Sequence, residues 1–136
     1  MSLDSFAKKI LSEHELVKFD EMKEAKKVSY LAKQFAGKEA IAKAFGTWFK
    51  NPIQMNNIEV IRNEDGKPIF NPLNGLAETM IDLGITKTHV SLADERDYAT
   101  AFAILEIWKI LFLEYCITHI SSLLEYPFQP QEDLIK

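Results

Sequence analysis

The stretch from Tyr30 to Thr47, Tyr-Leu-Ala-Lys-Gln-Phe-Ala-Gly-Lys-Glu-Ala-Ile-Ala-Lys-Ala-Phe-Gly-Thr, decides how the rest of the chain is read. Its spacing predicts one helix. Ala32, Ala36, Ala40 and Ala44 recur every four residues and make a narrow stripe of small side chains, against which another element can pack closely. Phe35, Ile41 and Phe45 add bulk beside it, and Gly46 supplies a C-terminal stop. Glu39 and Lys43 stand four apart and project from one side. Two readings of that pair are open. One is a solvent-exposed ion pair worth about 0.2–0.5 kcal/mol. The other is a carboxylate for a hard divalent cation, with an ammonium beside it for a phosphate. Spacing does not choose between them.

Upstream, Ser12-Glu-His-Glu15 matches a capping box, so a helix is expected over about residues 12–23, after a mildly amphipathic start from Met1 to Ile10. Downstream, Trp48 to Asn57 reads as a loop with a turn at Asn51-Pro52. Ile58 to Ile61 and Lys67 to Phe70 flank the turn residues Asn63-Glu-Asp-Gly66, which predicts a hairpin. Asn74 is positioned to cap a helix that carries Leu76, Met80, Ile81 and Leu83 and ends at Gly84. Thr86 to Leu92 and Tyr98 to Leu105 read as a second antiparallel pair around the polar Asp94-Glu-Arg-Asp97. The order helix, helix, strand, strand, helix, strand, strand keeps helices apart from hairpins, which points to the α+β class.

The chain has 136 residues, enough for one domain with its own core. A net charge of −4 argues against general nucleic-acid binding, because there is no basic excess to release counterions. Lysines nevertheless crowd the first part, among them Lys8, Lys9, Lys18, Lys26 and Lys33, and such a face can steer an acidic partner or a phosphate. The single cysteine, Cys116, excludes an internal disulfide, and no Cys/His spacing suggests zinc. No signal-peptide pattern opens the chain, so a cytoplasmic protein is expected. From Ile107 onward the sequence is strongly apolar, but Lys109, Glu114 and His119 interrupt it, and a membrane span is not expected. The division is therefore a domain over residues 1–106 and an apolar helical extension over residues 107–136.

The central helix also resembles a family signature. Phe35-Ala-Gly-Lys-Glu39-Ala-Ile-Ala-Lys43-Ala-Phe-Gly46 is similar to that of the holo-(acyl-carrier-protein) synthases, small 4′-phosphopantetheinyl transferases. Three more pieces agree in order: Phe6 to Leu16, Ile58-Glu-Val through Gly66-Lys67-Pro68, and His89-Val-Ser91-Leu-Ala-Asp94 with Tyr98 to Phe102. The resemblance implies antiparallel strands around a long central helix, to which the extension adds a further helix. It implies transfer of phosphopantetheine from coenzyme A to a serine of apo acyl carrier protein, with magnesium, in fatty acid biosynthesis. Glu39 then matches the metal carboxylate and Lys43 the lysine near the phosphates, so these two are the implied catalytic residues. Lys26, Gly66, Lys67, Pro68 and Ser91 match positions near the coenzyme, and Lys9 matches a basic residue serving the carrier protein. A homotrimer with sites between subunits is implied too.

The departures from that pattern are specific. The family's opening strand, whose aspartate is the second metal carboxylate, has no counterpart in this sequence. Gln34 stands where an arginine is common, Trp48 interrupts the usual glycine loop, and Asp94 replaces a frequent histidine. They motivate the alternative expectation of a non-catalytic relative or fragment that binds coenzyme A or the carrier protein without turnover.

Overall fold

The computed structural model of the protein describes residues 1–107. Ser2, in an extended conformation, accepts the Ser5 amide at 3.2 Å and opens a first helix, α1 (Leu3–Ile10), in the stretch read only as mildly amphipathic. The capping box forms as expected: Ser12 Oγ accepts the Glu15 amide at 3.2 Å, the Glu15 carboxylate accepts the Ser12 amide at 2.8 Å, and α2 (Glu13–Asp20) follows. The long central helix, α3 (Glu24–Ala44), carries Leu31, Gln34, Gly37, Lys38, Ile41 and Ala42 on its buried face.

That buried face is not the one the alanines mark. Ala32 and Ala44 are exposed and Ala36 and Ala40 only half-buried. The close approach is made instead by Gly37, where a Cβ would lie 2.9 Å from Leu92 Cδ2. Burial follows the larger neighbours Leu31 and Ile41, whose removal from water outweighs that of a methyl group.

Two antiparallel hairpins pack against α3. β1 (Ile58–Arg62) pairs with β2 (Pro68–Pro72), with Val60 opposite Phe70. Their turn is held by Asn63 Oδ1, which accepts the Lys67 amide at 2.8 Å, and by Gly66 at φ 78°. β3 (Ile85–Asp94) pairs with β4 (Ala99–Ile107), with Ser91 opposite Phe102. A short helix, α4 (Leu76–Asp82), joins the hairpins. Its N-cap is Gly75 at φ 83°, not Asn74. Asn74 is itself left-handed, at φ 49°, and its side chain turns back to donate to Asn57 Oδ1 at 2.9 Å.

Two clusters form the core. Ile41, Ala42, Ile58, Val60, Phe70 and Val90 fill the space between α3 and the hairpins. Ala7, Ile10, Leu11, Phe19 and Leu31 tie α1 and α2 to the start of α3. The expected helical extension over residues 107–136 lies outside the described residues, apart from Ile107, which closes β4. Among the described residues, no helix is long and apolar enough to cross a membrane.

Candidate functional site

Successive residues of an α-helix advance by about 100°, so α3 presents two distinct sides to its surroundings. On one side Lys26, Tyr30, Lys33 and Gln34 wall a cavity of about 420 Å³. Lys18 of α2, with Val60 and Arg62 of β1, completes much of the rest, and Pro68 lines it as well. Lys18, Lys26, Lys33 and Arg62 bring four cationic side chains to one concavity, which is a field suited to an anion.

Their partners are uneven. Lys33 is paired with Asp94 at 3.2 Å, and Asp94 also accepts the Ser29 hydroxyl at 2.6 Å, so the end of β3 is clamped to α3 beside the cavity. The Ser29 hydroxyl first, and Lys33 with it, hold the Asp94 carboxyl below the usual range. Arg62 donates to the Gly66 carbonyl at 2.6 Å and tethers the Gly66-Lys67-Pro68 turn to the cavity wall. Gln34 is buried and donates to the Val60 carbonyl at 3.0 Å, while its Oε1 meets no donor among the described residues.

Tyr30, on the same wall, has its phenol pushed up to about 12 by burial, with the Gln34 side chain opposing. An unfolded phenol ionises at 10.0, so the folded chain keeps this proton longer than the unfolded one. The resulting stability is complete below pH 10 and is lost as pH rises towards 12. Allowing for solvent screening of a partly exposed ring, the loss is on the order of 1 kcal/mol. An alkaline ultraviolet titration of wild type against Tyr30→Phe should show the missing step to be the late one. A missing step at the ordinary tyrosine value would contradict this burial.

Glu39 and Lys43 form their expected ion pair at 2.9 Å, with Lys43 Nζ 5.2 Å above the Trp48 ring. Their side chains are 31% and 59% exposed. Glu39 lies thirteen positions beyond Lys26 and so about 140° round the helix axis from it. Neither member of the pair lines the cavity, nor do Gly66, Lys67 or Ser91, all three of which are exposed. The structure therefore brings Lys26 and Pro68 together, and keeps Glu39 and Lys43 on another side of the same helix. Lys9 is exposed on α1.

Among the described residues, no three His, Cys, Asp or Glu side chains converge. One carboxylate with a free edge is still a fitting donor for magnesium, which takes one or two carboxylates and completes its shell with phosphate oxygens and water. Glu39, partly exposed and with one ion-pair partner among the described residues, meets that description.

Sequence reasoning passed over the most enclosed polar group among the described residues. Lys38 is fully buried, and its ammonium donates to Glu15 Oε2 at 2.6 Å, to the Met55 carbonyl at 2.9 Å and to the Ile58 carbonyl. Burial lowers its pKa, with Glu15 opposing. Glu15 Oε1 accepts the Val60 amide at 2.7 Å. The neighbouring Glu59, also buried, accepts the Ser12 hydroxyl and the Asn71 amide, each at 2.7 Å. Only the capping box gave any sign of this network.

Comparison with known proteins places these features in a family. The sequence model of the 4′-phosphopantetheinyl transferase superfamily matches residues 2–103. The holo-[acyl-carrier-protein] synthase of Vibrio campbellii is 44% identical over 104 residues, covering 76% of this chain and 80% of that protein. The crystal structure of holo-[acyl-carrier-protein] synthase from Neisseria meningitidis superposes with a TM-score of 0.71 at 37% identity, covering 75% of this chain and 80% of that one. A holo-(acyl-carrier-protein) synthase from Bacillus anthracis, solved in complex with coenzyme A (3′,5′-ADP), superposes with a TM-score of 0.65 at 29% identity, covering 78% and 84%.

Proposed function

The chain belongs to the 4′-phosphopantetheinyl transferase superfamily, and on that footing we propose how its residues divide the work of a holo-acyl-carrier-protein synthase. The reaction moves 4′-phosphopantetheine from coenzyme A to a serine hydroxyl of apo acyl carrier protein. The serine oxygen bonds to the pantetheine phosphorus. The bridging P–O bond breaks, its electron pair leaves with adenosine 3′,5′-bisphosphate, and the hydroxyl proton is released.

The observation that carries this reading is the four-cation cavity. Lys18, Lys26 and Arg62, with Lys33 partly neutralised by Asp94, offer the charge that the coenzyme's phosphates need. Pro68 and the tethered Gly66-Lys67 turn border the same ligand, and Ser91 stands further along β3 as a coenzyme contact. Glu39 would hold magnesium, which when bound neutralises the pyrophosphate and polarises its oxygens. Lys43, now paired with Glu39, supplies a cation to the same developing charge. Lys9 on α1 faces solvent and is available to the acidic carrier protein.

The bearing of Glu39 away from the cavity also supports assembly. One chain holds the coenzyme cavity and the Glu39–Lys43 pair on different sides of α3, so a neighbouring copy completes each site. A homotrimer satisfies that requirement, and a cytoplasmic location supplies both substrates.

Intact mass of the carrier protein tests the reading. Apo acyl carrier protein incubated with the chain, coenzyme A and magnesium should gain one phosphopantetheine, and a chelator should abolish the gain. No gain, with coenzyme A still bound in a calorimetric titration, would leave a chain that binds its ligand without turnover.

A further inference from the structure

Lys38 and Glu39 are neighbours in α3 with opposite surroundings. Glu39 is partly open to solvent, whereas Lys38 is 0% exposed. An ammonium has three protons to donate and accepts nothing. All three of Lys38's are placed, on Glu15 of α2, on the Met55 carbonyl of the turn before β1, and on the Ile58 carbonyl that opens β1. Glu15 is in turn fixed by the Ser12 amide at 2.8 Å and the Val60 amide at 2.7 Å. One residue earlier, Gly37 presses the helix onto Leu92 of β3.

A helix held at residue 37 by close approach and at residue 38 by a three-pronged anchor cannot roll about its axis at that turn. Side-chain bearing advances by about 100° per residue, so fixing the roll at Lys38 fixes the direction of Glu39. Apolar contacts alone would permit sliding, whereas hydrogen bonds to an ion are directional. The same anchor grips β1, whose Val60 and Arg62 wall the cavity. It therefore fixes the bearing of Glu39 relative to the cavity wall of the same chain.

We propose that the buried Glu15–Lys38 pair is a positioning device for the Glu39 carboxylate, and this rests on Glu39 being the cation-holding residue. Neither member of the pair touches substrate. Both act through the orientation of the α3 turn that carries Glu39.

Lys38→Met alone would strand a carboxylate in the interior and is expected to melt early. The decisive variant is Glu15→Gln with Lys38→Met, which removes both charges at similar volume, so no charge is stranded and the domain is expected to fold with a lowered melting temperature. Three readings are taken: the melting transition, affinity for adenosine 3′,5′-bisphosphate, and calorimetric titration of magnesium into the coenzyme A-saturated chain without carrier protein. The double variant should melt cooperatively but below wild type, because the Met55 and Ile58 carbonyls and one of the Ser12 and Val60 amides lose their partners, and should bind the bisphosphate much as wild type does, yet bind magnesium about tenfold more weakly, the loss typical when the groups that orient a metal ligand are removed. Native magnesium affinity in that variant overturns the proposal, as does an equal loss of bisphosphate and magnesium binding, which would mark a general structural role. Glu39→Gln is run beside it. If that variant binds magnesium normally, the assignment of Glu39 fails first and the positioning role fails with it. If it loses magnesium while the double variant does not, only the positioning role fails.

Discussion

Glu39→Gln is expected to lower phosphopantetheine transfer by about 10²–10³-fold while leaving the melting temperature unchanged. The two halves of this expectation have separate causes. Glutamine keeps the shape and one acceptor oxygen but not the charge, so the side chain no longer offers magnesium a carboxylate. The fold has little to lose. Glu39 is partly exposed, and among the described residues its ion-pair partner is Lys43, also exposed, in a helical pair worth about 0.3–0.5 kcal/mol. Rates from intact-mass time courses, read beside thermal melts, make the check. An unchanged rate removes Glu39 from the cation role and returns the pair to an ordinary surface contact.

Glu15→Ala should do the reverse and act on the fold before the chemistry. The substitution removes the reciprocal half of the α2 cap, leaves the Val60 amide without its acceptor, and strands the Lys38 ammonium in the interior. Removing one partner of a buried ion pair costs about 3–5 kcal/mol, because the remaining charge has lost both water and its counter-ion. In a domain of this size that corresponds to a fall in melting temperature of roughly 10–20 °C. Circular dichroism melts decide it, and a fall of only a few degrees would show that water reaches Lys38 after the substitution.

These two residues also show where the sequence was readable. The capping box announced Ser12 and Glu15 because its signal is local, a hydroxyl and a carboxylate three residues apart. What it did not announce is that the Glu15 carboxylate also reaches residues 38 and 60. Such contacts depend on how helices and strands meet, and no spacing rule encodes them. Lys38 looked like one more lysine in a lysine-rich segment. The α+β class, the two hairpins and the central helix were legible from turn residues and periodicity. The alanine repeat misdirected the choice of packing face, because small residues permit a close approach without driving one. Gly37, one position removed from that repeat, makes the approach.

Lys26 and Pro68, matched by resemblance to positions near the coenzyme, both line the cavity, and Arg62 lines it too without having been singled out. A lone arginine at the end of a strand carries no motif. Its importance comes from the hairpin, which turns its guanidinium back onto Gly66. Asp94, read as a departure and as the start of a polar turn, proved to be the acceptor that joins β3 to Ser29 and Lys33.

The reach of Glu15 bears finally on the order in which the chain assembles. Its bond to Ser12 closes a span of three residues, while its bonds to Lys38 and Val60 span 23 and 45. Short loops close in about 10–100 ns, and longer ones carry a larger entropic penalty. One carboxylate thus takes part in an early local event and in a late global one. The first closes the N-terminal cap of α2, and the second locks that helix to β1 and to the turn of α3 that carries Glu39. Whenever the cap is closed, Glu15 is already oriented for Lys38, so the buried charges meet with one of them preorganised.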